Sequence, residues 1–405
     1  MDYYLRSTCI DTPTTIEQMN TPQAKYIPKR SPIIASVRPL DTKSSSFLSL
    51  SSSVEKGLYV YSPIPSDDGI NDTQLFRSEE GQLIAVFKSA EAHSNLHDNG
   101  DAPLPALNHC LTPEEQNIRE VAACALDRSG FFSVPLTGLV DITYSGFHSG
   151  EVLPDRLNAR RKKGSLQQYI HNDGSAEDMS GSRFPTAGVH RLAILDIMLM
   201  NGDRHEGNIL VQRSPRGCHL IPIDHGYCLP RTLDKCWFCW LTWPQAKVPF
   251  GGEELEYITS IDIEKDIKML RRMDITEDVL ENYRIACLLL KHGASRGMTA
   301  YDIGAILCRV KGIDKESELE KMLVHYKILS TKMGTDLKVK DMISHMVLSR
   351  CMNVERNKKK LLPHFTKSIL RDPEEDQQIA MSQYPLHPVF NHRRIQSSPL
   401  IMRRI

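Results

Sequence analysis

The chain has 405 residues, with 50 lysine and arginine side chains balanced by 50 aspartate and glutamate side chains, so its formal net charge is zero. A general nucleic-acid-binding protein normally carries a basic excess, and this balance argues against that class. No run approaches the roughly 18 to 20 apolar residues of a membrane span, and the first residues, MDYYLRSTC, lack the apolar core of a signal peptide. Ten cysteines in so long a chain are not a disulfide framework, which predicts a cytoplasmic protein with reduced thiols.

The N-terminal segment, residues 1–56, is rich in serine, threonine and proline and shows no sustained hydrophobic period. Such a segment does not bury enough apolar surface to offset the entropy lost on ordering it. We therefore expect a disordered tail over residues 1–56.

Residues 57–168 begin with strand-like patterns. Leu75–Ser78 and Leu83–Lys88 flank a turn that contains Gly81, which predicts a β-hairpin. Lys88 ends an apolar strand, so its ammonium group must reach either solvent or a charged partner. The apolar run 131–147 predicts a further strand of the same sheet.

A helix is predicted over residues 113–127, with Thr112 as its N-cap. Glu120 lies on this helix, which we expect to pack over the sheet, and it is the expected partner of Lys88. The basic run 156–163 is typical of a solvated loop.

The most informative stretch runs from Phe184 to Pro230. Apolar residues recur at three-to-four spacing before Asn201-Gly202, which predicts a buried helix that ends there. Two short apolar runs, 209–211 and 220–223, are separated by a turn and predict a β-hairpin.

This pattern brings three oxygen-bearing side chains, Asp203, Asn208 and Asp224, to neighbouring loop ends. Magnesium prefers hard oxygen ligands and is usually held by one or two carboxylates together with substrate phosphates. Asn208 and Asp224 suit that role, and Asp203 is then free to accept a proton from an attacking hydroxyl. This division of labour is the one that kinases use for phosphoryl transfer.

The letters DRHEGN followed by LIPIDHGYCLP resemble the phosphatidylinositol 3-/4-kinase-like family. Within it the chain is most similar to the type II phosphatidylinositol 4-kinase branch and to its gamma group, known mainly from plants. The resemblance covers roughly residues 57–310. It implies an α+β, bilobal protein-kinase-like fold, with a small antiparallel β N-lobe carrying a helix and a larger α-rich C-lobe. It also implies ATP and magnesium as cofactors and phosphatidylinositol as the acceptor, phosphorylated on its 4-hydroxyl.

The resemblance assigns roles residue by residue. Asp203 is the expected catalytic base, Arg204 and His205 position its loop, and Asn208 and Asp224 are the expected magnesium ligands. Three groups of residues are expected to contact the nucleotide. They are Gly69, Asn71 and Thr73 of the covering hairpin, the phosphate-binding Lys88 with its partner Glu120, and the hinge residues Gln168, Tyr169 and Ile170.

The chain departs from the family where relatives carry adjacent glycines, since it has Gly69-Ile70-Asn71-Asp72-Thr73 there. Asp72 would place a negative charge near a triphosphate, which keeps a nucleotide-binding pseudokinase or scaffold open as an alternative. A Ser/Thr protein kinase on the same scaffold is the other alternative.

Residues 57–168 are expected to form the kinase N-lobe, and residues 169–352 the hinge and the C-lobe with a helical extension. Residues 353–405 are expected to form a basic, irregular tail. Residues 227–250 carry Trp237, Trp240 and Trp243, which either pack the lower lobe or lie against lipid. We expect peripheral contact with phosphatidylinositol-containing membranes from a cytoplasmic protein, with protein substrates as a further class of acceptor.

Overall fold

The protein is described by a computed structural model. Its description covers residues 33–40, 44–66, 73–91, 111–145, 159–215, 217–310, 312, 314–333, 342–344, 346–348 and 350. The chain divides into two compact units, the first made of residues 1–93 and 139–166 and the second of residues 94–138 and 167–405.

Strands and helices alternate in the N-terminal part, and helices dominate the C-terminal part. The strands are β1 (Ala35–Pro39), β2 (Ile64–Pro65), β3 (Thr73–Arg77), β4 (Leu83–Ser89), β5 (Thr137–Tyr144), β6 (Arg160–Gln168), β7 (Ile209–Ser214) and β8 (Gly217–Pro222). The helices are α1 (Ser45–Leu58), α2 (Pro113–Leu126), α3 (Thr186–Leu199), α4 (Gly252–Ser260), α5 (Ile263–Arg271), α6 (Glu277–Ala294), α7 (Ala300–Leu307) and α8 (Glu318–Met333).

The first unit is built on a six-stranded sheet with the order β1-β5-β6-β4-β3-β2. The predicted hairpin is confirmed as β3 and β4, which pair antiparallel with Thr73 opposite Lys88. The predicted strand within 131–147 is confirmed as β5, which pairs antiparallel with β1. This mixed α+β architecture agrees with the expected kinase-like fold.

The prediction of a disordered tail over 1–56 is wrong for β1 and for α1. Phe47, Val54 and Leu58 lie four or seven residues apart on one face of α1 and are fully buried. Gly57 permits close packing, because a Cβ atom there would lie 1.8 Å from the carbonyl oxygen of Arg77. Ser49 and Ser52 are exposed, whereas Ser51 is buried and its hydroxyl donates to the carbonyl of Phe47 over 2.9 Å. The many serines make the segment polar in composition and so hide its helical period.

The prediction of a solvated loop over 156–163 is wrong from Arg160 onward, where β6 begins. Its basic residues are mostly exposed, whereas residues 164–167 are buried in the interior of the sheet. Gly164 allows β4 to approach, since a Cβ atom there would lie 2.1 Å from the carbonyl oxygen of Lys88.

The second unit is organised around α3, which is buried almost all round from Val189 to Met200. A helix that is apolar on every side is typical of a protein core. The helix ends one residue earlier than predicted, because Met200 takes the left-handed conformation (φ +47°) that was expected of a following glycine. The backbone N–H of Asn201 then donates to the carbonyl of Asp196 over 3.1 Å, as in a helix C-cap.

Helix α2 belongs to the second unit, although the sequence placed it with the sheet. Its predicted N-cap is confirmed, since Thr112 and Glu115 form a reciprocal capping box. Ala122, Ala123 and Leu126 join the core of the second unit, which is the physical reason for this grouping.

The aromatic segment after β8 mainly packs the second unit. Trp240 and Trp243 are buried, whereas Trp237 is half-exposed. Among the described residues, no helix has both the length and the hydropathy that crossing a bilayer requires.

Candidate active site

The loop between α3 and β7 carries Asp203 and Asn208 and is held by its own backbone. The amide of His205 donates to the carbonyl of Asp203 over 3.0 Å, and the amide of Asn208 donates to the carbonyl of His205 over 3.1 Å. The side-chain amide of Asn208 donates to the carbonyl of Asp203 over 2.9 Å. Asn208 is thereby fixed beside Asp203, five residues earlier in the chain.

Asp224 reaches the same place from the end of β8. The amide of Ile223 donates to the carbonyl of Asn208 over 3.1 Å, which joins the end of this strand to the loop that carries Asp203. Asp224 itself has φ +55°, a left-handed conformation that aspartate tolerates better than most residues. Such strained positions concentrate at functional sites.

A buried guanidinium ties the two loop ends together. Arg204 has no exposed side-chain surface, and its Nη1 donates to the carbonyls of Asn208 and Ile223, the latter over 2.8 Å. Its Nε lies 3.0 Å from one carboxylate oxygen of Asp196 on α3 and 3.2 Å from the other. Arg204 therefore connects the loop of Asp203 to the residue before Asp224, and its role in positioning the site stays a prediction.

The electrostatics of Asp203 reflect its neighbours. Burial raises the pKa of its carboxyl above the ordinary value, and the negative charge of Asp224 raises that pKa further. His205, Arg204 and a hydrogen bond from Asn208 act in the opposite direction. The three predicted side chains thus sit close enough for their charges and hydrogen bonds to affect one another.

His205 contacts its own loop, and its positioning role stays a prediction. Its Nδ1 accepts a hydrogen bond from the amide of Gly207 over 3.1 Å. The same nitrogen lies 3.7 Å from the carboxylate of Glu177.

Glu120 is connected to the segment that carries Asp224. Its buried carboxylate accepts a hydrogen bond from the backbone amide of His225 over 3.1 Å. The imidazole of His225 is also buried, and burial lowers its pKa. Helix α2 therefore holds the loop that follows β8, while the pairing of Glu120 with Lys88 stays a prediction.

The donor set fits magnesium. The side-chain nitrogen of Asn208 donates to the carbonyl of Asp203, so the side-chain oxygen is the atom that would bind a metal ion. Together with the Asp224 carboxylate this gives two hard oxygen ligands, the number usual where substrate phosphates complete the coordination. In the part of the chain that the structure describes, no group of three or more His, Cys, Asp or Glu side chains suits a metal ion.

The nucleotide-contacting candidates lie in both units. Thr73 and Lys88 are partners across the β3–β4 hairpin. Gln168 ends β6, and its backbone amide donates to the carbonyl of Leu136 over 2.8 Å. The other two hinge candidates, Tyr169 and Ile170, follow Gln168 directly. Gly69 and Asn71 lie outside the described residues.

Sequence reasoning missed the residues that support Arg204. The carboxylate of Asp196 also accepts from Trp240 Nε1 over 2.9 Å and from the side-chain amide of Asn201 over 3.2 Å. The sequence did offer one signal for them, because Asp196 is the single carboxylate of its helix and lies within an apolar run. A buried charge in that position must be paired, because an unpaired one is costly.

Two carboxylates and an amide oxygen, on two loops joined by a buried guanidinium, are the groups that phosphoryl transfer of the kinase type uses. The model of the family "Phosphatidylinositol 3- and 4-kinase" matches residues 86–303. The chain belongs to this family.

Among similar proteins, phosphatidylinositol 4-kinase gamma 6 of Arabidopsis thaliana is 38% identical over 293 residues, which are 67% of this chain and 47% of that protein. Phosphatidylinositol 4-kinase gamma 4 of Oryza sativa subsp. japonica is 40% identical over 292 residues, which are 67% of this chain and 49% of that protein. The chain spans about half the length of these curated relatives. Among solved structures, the crystal structure of the Helicobacter pylori proinflammatory kinase CtkA aligns with 60% of this chain over 98% of its own length, at 11% identity. The TM-score of 0.27 is too low to support a conclusion.

Proposed function

We propose that this chain transfers the γ-phosphoryl group of ATP to the 4-hydroxyl of phosphatidylinositol. The observation that carries the proposal is the convergence of Asp203, Asn208 and Asp224 at the joined ends of the catalytic loop and β8. The names of the similar plant proteins support phosphatidylinositol as the acceptor.

Asp203 acts as the general base in this proposal. Its carboxylate accepts the proton of the attacking hydroxyl as the bond to phosphorus forms. The charges of His205 and Arg204 and a hydrogen bond from Asn208 favour the ionised carboxylate that this step needs. Arg204 keeps the carboxylate in register with the metal ligands through the carbonyls of Asn208 and Ile223.

Asn208 and Asp224 hold magnesium in this proposal. The ion, when bound, neutralises charge on the phosphates and so stabilises the transferring phosphoryl group. Lys88 is the proposed ligand of the nucleotide phosphates, and the backbone of residues 168–170 is the proposed contact of adenine. The acceptor is a membrane lipid, so the protein must meet a bilayer surface, which we propose it does peripherally from the cytoplasm.

The test uses the full chain with labelled ATP, magnesium, phosphatidylinositol vesicles and a generic protein substrate in one reaction. We expect label in the lipid, on the 4-hydroxyl after chromatography of the deacylated product. Asp203→Asn should lower turnover by about 10²–10⁴-fold, as loss of a general base does. Glu256→Gln, a change of an exposed carboxylate on α4, is the matched control and should leave turnover unchanged.

Two outcomes would replace the proposal. Label in the protein substrate alone would make the chain a protein kinase. Nucleotide binding without label in either acceptor would make it a pseudokinase.

A further inference from the structure

A second short segment runs alongside the catalytic loop. Arg204 and Phe238 form an isolated parallel β-bridge. The amide of Arg204 donates to the carbonyl of Trp237 over 3.3 Å, and the amide of Cys239 donates to the carbonyl of Arg204 over 2.9 Å. The amide of Trp237, the residue before Phe238, donates to the carbonyl of Asn201 over 3.1 Å. The backbone of Trp237 is therefore hydrogen-bonded to Asn201 before Asp203 and to Arg204 after it.

The register of this bridge decides which side chains share a face. Successive side chains in extended segments point to opposite faces. Arg204 and Phe238 are both buried, so they define the inward face of the bridge. Asp203 and Trp237 each precede one of them, and so both belong to the outward face, on neighbouring segments about 4.8 Å apart.

Trp237 is exposed because the register of the bridge turns its side chain away from the core. Its indole is 51% exposed, although the residues next to it in the chain, Cys236 and Phe238, are buried. Phe238 stacks on the buried Trp240 with a centroid distance of 4.9 Å, which anchors the segment in the core. A large aromatic side chain is thus held in solvent, on a fixed backbone, beside the proposed catalytic base.

We propose that the indole of Trp237 forms one wall of the acceptor site and packs against the C–H face of the inositol ring of phosphatidylinositol. A hydroxyl that gives its proton to Asp203 must come within hydrogen-bonding distance of that carboxylate, about 2.6–3.2 Å. The six-membered ring that carries the hydroxyl is attached directly to it, so the ring comes within reach of the neighbouring segment that carries Trp237. The electron-rich face of an indole attracts the polarised C–H groups of such a ring.

This inference rests on the proposed function, because it names a contact of the same acceptor. It makes Trp237 a residue that recognises the ring, separate from any contact with the bilayer. A bilayer-free acceptor therefore separates the two roles.

The experiment measures initial rates with a short-chain phosphatidylinositol that stays monomeric in water, at saturating ATP and magnesium. We expect Trp237→Ala to raise the KM for this acceptor about tenfold, equivalent to about 1.4 kcal/mol. The KM for ATP and the slow hydrolysis of ATP without acceptor should stay unchanged. Trp237→Phe keeps an aromatic face and should stay within about threefold of the unchanged chain, whereas Trp237→Leu should behave like alanine.

Val248→Ala is the matched control, since Val248 is an exposed apolar residue of the same segment. It should leave the acceptor KM unchanged. Thermal unfolding of each variant shows whether it is folded, and the phenylalanine–leucine comparison keeps the test decisive if the alanine variant is unstable.

Three results would overturn the inference while leaving the proposed function intact. These are an acceptor KM of Trp237→Ala within about twofold of the unchanged chain, equal effects of the phenylalanine and leucine changes, and a defect that appears only with vesicles. Absence of lipid phosphorylation by the unchanged chain would overturn the proposed function and this inference together.

Discussion

The guanidinium of Arg204 is bound by the carboxylate of Asp196, and both side chains are fully buried, with Nε 3.0 Å and 3.2 Å from the two carboxylate oxygens. Trp240 and Asn201 supply further donors to the same carboxylate. The pair connects the core helix α3 to the loop of the proposed base and to the end of β8. A buried charge pair therefore links the core to both loop ends of the proposed site.

We predict that Asp196→Asn destabilises the protein by about 3–5 kcal/mol, because it leaves the guanidinium of Arg204 buried without its counter-charge. Trp240→Phe is the matched comparison, since it removes one hydrogen bond to the same carboxylate and keeps the charge pair. Its cost should be smaller, about 1–3 kcal/mol. Urea unfolding of the three proteins measures the difference, and equal costs for the two variants would contradict the buried charge pair as the dominant interaction.

A second prediction concerns the metal ligands. Asp224→Asn removes the only charged ligand proposed for magnesium, so the magnesium concentration for half-maximal activity should rise about tenfold or more. Gln212→Ala is the control, because Gln212 lies on β7 and donates to the carbonyl of His171 away from the cluster. Titration of activity with magnesium at fixed ATP measures the change, and an unaltered magnesium requirement in Asp224→Asn would rule out this residue as a ligand.

Local chemistry explains what the sequence could predict. Thr112 and Glu115 cap α2 with atoms only three residues apart. The hairpins β3–β4 and β7–β8 each join neighbouring segments through a short turn, so their partners are adjacent in the chain. The proposed site itself was predictable because Asp203, Asn208 and Asp224 follow predicted element ends.

Tertiary packing explains what the sequence concealed. The apolar residues of α1 are separated by serines, and the helix is stable because it packs on the sheet of the first unit. Strand β6 begins with exposed basic residues and becomes buried only where Gly164 lets it approach β4. The partners of Asp196 lie up to 44 residues away in the chain, at Trp240, so no local pattern could identify them.

A third prediction compares two glycines of the second unit. A Cβ atom on Gly304 in α7 would lie 2.7 Å from the ring of Trp240, which is fully buried. Overpacking of this kind costs about 1–3 kcal/mol, so Gly304→Ala should destabilise the protein. Gly252, at the start of α4, has no atom within 4 Å of such a Cβ, and Gly252→Ala should stabilise the protein by about 0.5 kcal/mol. Denaturant unfolding checks both, and the same sign for the two variants would contradict the packing at Gly304.

The fourth prediction follows from Asp141, a buried carboxylate on β5 that joins three strands. Arg161 on β6 and Arg38 on β1 both donate to it, Arg38 over 2.8 Å. The hydrogen bond from Arg161, helped by Arg38 and opposed by burial, lowers the pKa of Asp141 to about 2.

An unfolded aspartate has a pKa of about 3.9, so the folded state binds this proton less tightly than the unfolded state. The stability contributed by ionised Asp141 is therefore fully present above about pH 4 and is lost as the pH falls towards about 2. We expect Asp141→Asn to be less stable than the unchanged chain at pH 7, with the difference shrinking between about pH 4 and 2. Glu79→Gln, which changes an exposed carboxylate of the same unit, should show no such convergence. Urea unfolding at a series of pH values measures the difference, and a constant gap between Asp141→Asn and the unchanged chain across that range would mean that the ionisation of Asp141 is not what joins the strands.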